Sequence, residues 1–242
     1  MKVFLHGVPE TAAIWDGVRA AIEDDSFALA LPGFGCDRPE GFTGTKDAHV
    51  EWVVQAIEAI GEPVDLVGHD WGAGLTYRIA STRGDLLRSW AADVGNIAHP
   101  DYVWHDFAQI WQTPGEGEAF VAAQESTPAE ERAPLFEAMG VPAQHALEMA
   151  QASDETMGHA ILDLYRSATP NPPADWGPWT ATSAPGLVLH PTDDPFGDEV
   201  LAREAAALLG ARLEPLDGVG HFWPYQAPTR AAEVLERFWS TV

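Results

Sequence analysis

Short apolar runs alternate with helical patterns along the first part of the chain. Val3 to Leu5 reads as a strand closed by His6-Gly7-Val8-Pro9, and Phe27 to Leu31 as a second closed by Pro32-Gly33-Phe34-Gly35. Lys46 to Ile60 has the helical period. Thr45 can cap it, Val50, Val53, Val54 and Ile57 share a face, and Gly61 stops it. Val64 to Val67 is a third strand, followed at once by Gly68-His69-Asp70-Trp71-Gly72 and another helical stretch, and Leu86 to Ala92 a fourth. Near Gly95 the pattern changes. Helical segments, Trp104, Trp111, Trp176 and Trp179, and joints such as Pro170-Asn171-Pro172-Pro173 follow, with no strand pattern. Alternation then resumes: strand Gly186 to His190, helix Glu199 to Leu209, strand Arg212 to Leu216, and a closing helix over Ala231 to Trp239. The expectation is an α/β core over residues 1–95 and 181–242, with a mostly parallel sheet covered on both faces, interrupted by a helical cap over 96–180.

Composition narrows the partners. With 242 residues and 46% hydrophobic side chains, the chain can build one sizeable core plus an insertion. Thirteen basic residues face thirty-seven acidic ones, a formal charge of −24. That field repels nucleic acid and anionic membrane surfaces, leaving a small molecule as the expected partner. Cys36 is the single cysteine, so no internal disulfide can form, which suits a reducing cytoplasm. The first apolar run is too short for a signal sequence, and no stretch reaches the roughly 20 apolar residues of a membrane span. The sequence has no Gly-rich nucleotide loop, so no cofactor is expected. It has no His-Glu-x-x-His run, and His99 with His105 lacks a ligand set, so no metal is expected.

Four local patterns carry chemistry. Gly68-His69-Asp70-Trp71-Gly72, between a strand and a helix, has the form of a nucleophile elbow, with Asp70 where the nucleophile projects. A carboxylate needs no base to attack saturated carbon. His6-Gly7-Val8-Pro9 follows the first strand, where this arrangement takes one oxyanion donor; the donors would be the N–H groups of Val8 and Trp71. Gly218-Val219-Gly220-His221 places a histidine on a glycine-bracketed loop. Asp194, in Thr192-Asp193-Asp194-Pro195, is the better candidate to orient that imidazole, and Asp93, at the end of the preceding strand, is a rival. The order Asp70, Asp194, His221 is nucleophile, acid, histidine.

On these residues the chain resembles the aspartate-nucleophile branch of the α/β-hydrolases: epoxide hydrolases, haloalkane dehalogenases and fluoroacetate dehalogenases. Members usually carry two strands before the His-Gly-x-Pro loop. Here the sheet is expected to lack them, leaving an edge on which a second copy of the chain could pair. The resemblance implies that Asp70 forms an ester with substrate, which water activated by His221 then cleaves. Leu162-Asp163-Leu164-Tyr165-Arg166 resembles the cap tyrosine motif of epoxide hydrolases. It makes Tyr165 the candidate acid, with Tyr102 a second, and ring opening to a vicinal diol the leading reaction. Haloalkane dehalogenation is the alternative. Trp71 matches one halide donor of those enzymes, and Trp104 or Trp111 could supply the second. Trp104-His105 is similar to the halide-binding cap residues of fluoroacetate dehalogenases. Those enzymes hold the substrate carboxylate with arginines, where this chain has Trp71 and Gly74, so a haloacid ranks third. His6 and Pro9 complete the expected substrate-binding set. A non-catalytic ligand-binding protein of the same fold is the remaining alternative.

Overall fold

Among the described residues, six strands form one sheet, and every pairing in it is parallel. The computed structural model describes residues 1–176 and 179–242. The strands are β1 (Lys2–Leu5), β2 (Ser26–Leu29), β3 (Val64–Gly68), β4 (Leu87–Ala92), β5 (Gly186–Pro191) and β6 (Arg212–Leu216), in the order β2-β1-β3-β4-β5-β6. Central β1 and β3 are wholly buried, while edge strands β2 and β6 are largely half-exposed. Burial on both faces is why the central strands are nearly continuous apolar runs. β2 stops at Leu29, two residues short of the apolar run. Leu31 N–H turns away to the ring of His6, and Pro32 cannot continue a ladder.

The pleat sorts the core into two clusters. Val3, Leu5, Leu66, Trp90 and Val188 lie in one; Phe4, Val67, Ala91, Leu187 and Leu189 lie in the other. Helices α1 (Asp16–Ala20), α2 (Lys46–Ile60) and α3 (Trp71–Thr82) belong to the first half of the chain. Thr45 Oγ1 caps α2 by accepting from Ala48 N–H, and Gly61 ends it in the left-handed region (φ 81°).

Between β4 and β5 stand α4 (Asp106–Gln112), α5 (Glu116–Ser126), α6 (Ala129–Ala138), α7 (Ala143–Ala152), α8 (Glu155–Arg166) and α9 (Pro173–Trp176). Trp111 of α4, Val121 of α5 and Tyr165 of α8 join the first cluster with Trp71. Phe136 of α6 and Met149 of α7 join the second with Trp223. The chain closes with α10 (Glu199–Leu209), α11 (Trp223–Gln226) and α12 (Pro228–Trp239). α12 begins three residues before the apolar periodicity because Pro228 fits the first turn. Among the described residues, no helix is long and apolar enough to cross a membrane.

Register positions the site. Leu5 lies opposite Gly68, and Gly68 opposite Ala92. The residues that follow these strand ends, His6, His69-Asp70 and Asp93, therefore emerge side by side at one edge of the sheet.

Candidate active site

The turn from β3 into α3 is tight and strained. Asp70 sits at φ 51°, ψ −118°, a conformation rare for a residue with a side chain. Gly72 allows the approach: a Cβ there would lie 2.4 Å from the carbonyl oxygen of Leu5. Gly7 allows it from the other side, since its Cβ would fall 2.3 Å from Asp70 Oδ1. With that space free, Val8 N–H donates to Asp70 Oδ1 at 2.7 Å, and the Trp71 N–H also favours the ionised carboxylate. Oδ1 is thus held, while Oδ2 faces His221 Nε2 at 3.8 Å.

His221 follows β6 on its loop. Its Nδ1 lies 2.9 Å from Asp194 Oδ2, and Asp194 Oδ1 accepts from Phe196 N–H at 2.8 Å. Asp193, next door, is exposed and bonds Thr192. Burial opposes charge on both His221 and Asp194. Their mutual attraction wins, raising the imidazole pKa and lowering that of the acid. Asp70 differs. Burial dominates and lifts its pKa to about 6, against the pull of His221. Its side chain is 15% exposed, against 5% for His221 and 1% for Asp194, so it is the member of the set that opens outward.

Aromatic rings cluster near Asp70. Tyr165 is buried, with ring centroids 5.4 Å from Trp71, 5.1 Å from Trp104 and 4.8 Å from Trp111. Burial, then the charge of Asp70, raises the pKa of Tyr165, and the same two causes raise that of Tyr102. Both phenols therefore stay protonated within the field of the carboxylate. Trp71 Nε1 is buried with no partner within hydrogen-bond distance among the described residues, though it lies close enough to the Tyr165 hydroxyl to favour the ionised phenol. His105 caps α4, its Nδ1 accepting from Ala108 N–H at 3.2 Å, which leaves the ring proton on Nε2. Burial first, then His221, lowers its pKa to about 4, so it is a neutral N–H donor.

Two expected binding residues and the rival acid have other partners. Trp104 Nε1 donates to Ala168 O at 3.1 Å, so its N–H is committed and only its apolar face remains for a ligand. His6 is fully buried, with Nδ1 donating to Gly7 O at 2.9 Å and Nε2 accepting from Leu31 N–H at 3.1 Å. It joins two loops and has no atom left for substrate. Asp93, the rival acid, bonds His69 instead of His221, at 2.5 Å from Nδ1. Pro9 is half-buried in the loop beyond Val8.

Two ionisable residues at the site escaped the sequence reading. Glu10 Oε1 lies 2.9 Å from His69 Nε2, both residues fully buried. Position was the available signal: Glu10 follows His-Gly-x-Pro and His69 precedes the elbow aspartate. Their pairing across 59 residues depends on the β1–β3 register. Glu10, His69 and His221 each offer one ligand atom, all within 4.8 Å of one another. A cation there would have to displace the proton shared by Glu10 and His69.

Comparison with known proteins agrees with this frame. A haloalkane dehalogenase of Bradyrhizobium diazoefficiens is 28% identical over 140 residues, covering 49% of this chain and 44% of that protein. The chain spans less than half the length of the curated relatives it matches. In structure it is similar to haloalkane dehalogenase DbeA of Bradyrhizobium elkani, with TM-score 0.72 and 18% identity over 99% of this chain and 91% of that one. It is also similar to an epoxide hydrolase from metagenomes of hot environments, with TM-score 0.77 and 17% identity over 98% and 89%. At such identities the likeness speaks for the fold alone. A sequence profile of the alpha/beta hydrolase family, however, matches residues 3–234, running through the elbow, the acid and the histidine, and by that match the chain belongs to the alpha/beta hydrolase family.

Proposed function

We propose that the chain hydrolyses a neutral epoxide to a vicinal diol through an ester on Asp70, with the 96–180 segment acting as the cap over the site. The observation that carries this reading is the pair of environments on one carboxylate. Asp70 Oδ1 is held by Val8 N–H at 2.7 Å, and Oδ2 lies free, 3.8 Å from an imidazole backed by Asp194. Oδ2 attacks a ring carbon, the C–O bond of the epoxide breaks, and the alkoxide takes a proton from Tyr165, with Tyr102 as second donor. A phenol suits this step, since an alkoxide is a strong base. His221 Nε2 then removes a proton from water. The hydroxide adds to the Asp70 carboxyl carbon, and the developing oxyanion on Oδ1 stays on the N–H groups of Val8 and Trp71. Collapse releases the diol and restores the carboxylate, which now carries one water oxygen. The imidazolium returns its proton to the tyrosinate.

A haloalkane is the second reading, favoured by one observation: the buried, unpartnered Trp71 Nε1, a donor suited to a halide. Trp104 does not complete the pair, because its N–H is taken by Ala168 O. The acidic balance of the chain and the absence of arginine beside Asp70 disfavour haloacids. His221→Gln decides among these. The variant should alkylate Asp70 and fail to release the ester, so an adduct accumulates for intact mass spectrometry. An epoxide adds its whole mass; a haloalkane adds its mass less the hydrogen halide. Adduct from haloalkanes alone would reverse the ranking. A folded variant with no adduct from either class would overturn both readings and favour a different substrate or a non-catalytic ligand-binding role.

A further inference from the structure

Glu10, His69 and Asp93 take no part in the steps above, yet all three are buried at the centre of the site. His69 lies between the other two, Nδ1 at 2.5 Å from Asp93 Oδ2 and Nε2 at 2.9 Å from Glu10 Oε1. The remaining carboxylate positions are also filled by donors. Gly7 N–H donates to Glu10 Oε2, Asp70 N–H to Asp93 Oδ1, and Trp223 Nε1–H to Asp93 Oδ2. Apart from the His69 ring, every group bonded to these two carboxylates among the described residues is a donor. A neutral imidazole carries one N–H and would turn a lone pair toward one of the two acids. The arrangement is satisfied when both acids are ionised and the ring is doubly protonated.

We propose that Glu10 and Asp93 hold His69 as a fixed imidazolium, a positioning residue whose charge limits protonation of His221 and whose two acids tie three catalytic loops together. The inference rests on the reading of His221 as the base that activates water. The tie is visible in the contacts. Glu10 grips the Val8 loop through Gly7, and Asp93 grips the elbow through Asp70 N–H and the His221 loop through Trp223. Asp93 is delivered by a strained turn, since Val94 is β-branched at φ 44°, ψ 45°.

The charge acts over a short distance: the rings of His69 and His221 have centroids 4.9 Å apart. His221 also faces Asp194 and Asp70, with Glu10 and His105 further round. His69 faces Glu10 and Asp93, with His221, Asp70 and His6 beyond. Burial disfavours charge on His69, but the attraction of Asp93 and Glu10 outweighs it and raises its pKa well above the ordinary value. For His221, burial opposes the proton most and His69 adds to that opposition, while Asp194 and then Asp70 favour it. A histidine that held its proton at neutral pH could not take one from water.

Nitrogen-15 NMR of the ring nitrogens tests this without any substrate. In the wild-type protein both nitrogens of His69 should be protonated from pH 5 to 9, while His221 titrates separately. His69→Gln should raise the His221 midpoint by about one unit, a tenfold gain in proton affinity, and shift the base limb of ester hydrolysis upward by the same amount. A His69 signal that titrates within that range overturns the proposal, as does an unchanged His221 midpoint in a folded His69→Gln protein. Should that variant fail to fold, Glu10→Gln serves: removing one acid should bring the His69 midpoint into the range, and a ring charged throughout would contradict the role given to Glu10. If the NMR results hold and no epoxide or haloalkane is turned over, the proposed reaction fails and the charge network stands.

Discussion

Two imidazoles stand 4.9 Å apart in this molecule, each with Nδ1 on a carboxylate delivered from the end of a strand. They differ in what faces Nε2. For His221 it is Asp70 Oδ2 at 3.8 Å, too long for a hydrogen bond. For His69 it is Glu10 Oε1 at 2.9 Å, a closed contact. On the proposed reading, the same carboxylate–imidazole pair serves as a base where the far nitrogen is left open and as a brace where it is shut. What decides is the spacing on the second nitrogen, which no residue type announces by itself.

The largest test removes the group on the open side. Asp70→Asn should abolish turnover, by at least about 10⁴-fold, because an amide is not a nucleophile. In single-turnover reactions run in oxygen-18 water, the wild-type protein should carry label at Asp70. Label in product but never at Asp70 would mean direct attack by water. The fold should survive and gain stability, since the amide relieves a buried charge.

Exchanging the two acids sharpens the contrast. Asp194→Asn should slow ester hydrolysis by about 10²–10⁴-fold and leave alkylation within a few-fold, as the base loses its orienting partner. Asp93→Asn should act chiefly on stability, costing about 3–5 kcal/mol, because a buried imidazolium loses one of its two counter-charges. Denaturation and single-turnover kinetics on both variants read the two effects separately. Near-normal hydrolysis in Asp194→Asn beside a stable, inactive Asp93→Asn would exchange the roles assigned to the two acids.

The open side of this comparison was legible in the sequence and the closed side was not. Gly68-His69-Asp70-Trp71-Gly72 and the strands around it are local, so the parallel sheet and the position of Asp70 could be read from pattern. Asp194 and Asp93 both read as strand-end acids, and the sequence favours Asp194 by position alone. The choice is made by loop paths: Asp194 comes within 2.9 Å of His221, whereas Asp93 is taken by His69 and Trp223. Trp104 has the residue type of a halide donor, but its N–H goes to Ala168 O, a partner 64 residues away that no local pattern announces. His6 looked like a site residue because its motif ends at the site, yet its ring turns back to Leu31.

A smaller effect should come from the phenol above the open side. Tyr165→Phe should slow alkylation of Asp70 by epoxides about 10–100-fold, because the alkoxide would leave without a proton. Alkylation by haloalkanes should change little, since a halide is a weak base. Rapid-quench measurement of adduct formation separates the two. An unchanged epoxide rate would remove Tyr165 from the mechanism and pass its role to Tyr102.

The smallest effect is the pH dependence of that first step. Burial lifts the pKa of Asp70 to about 6 from an ordinary 3.8. Only the carboxylate attacks, so alkylation should be flat above about pH 7 and about tenfold slower at pH 5. His69, held between two acids, should add no limb in this range. A stability effect of opposite sense accompanies it. Between pH 3.8 and 6 the folded state binds more protons at Asp70 than the unfolded state does, so stability from this group falls as pH rises through that window. The advantage of Asp70→Asn over the wild-type protein should therefore grow from pH 4 to pH 6.5, reaching at most about 3 kcal/mol, and then level off. Urea denaturation at several pH values measures that difference. A gap independent of pH, or an alkylation rate flat from pH 5 to 8, would mean that Asp70 titrates like an exposed carboxylate and that the site is wetter than its burial implies.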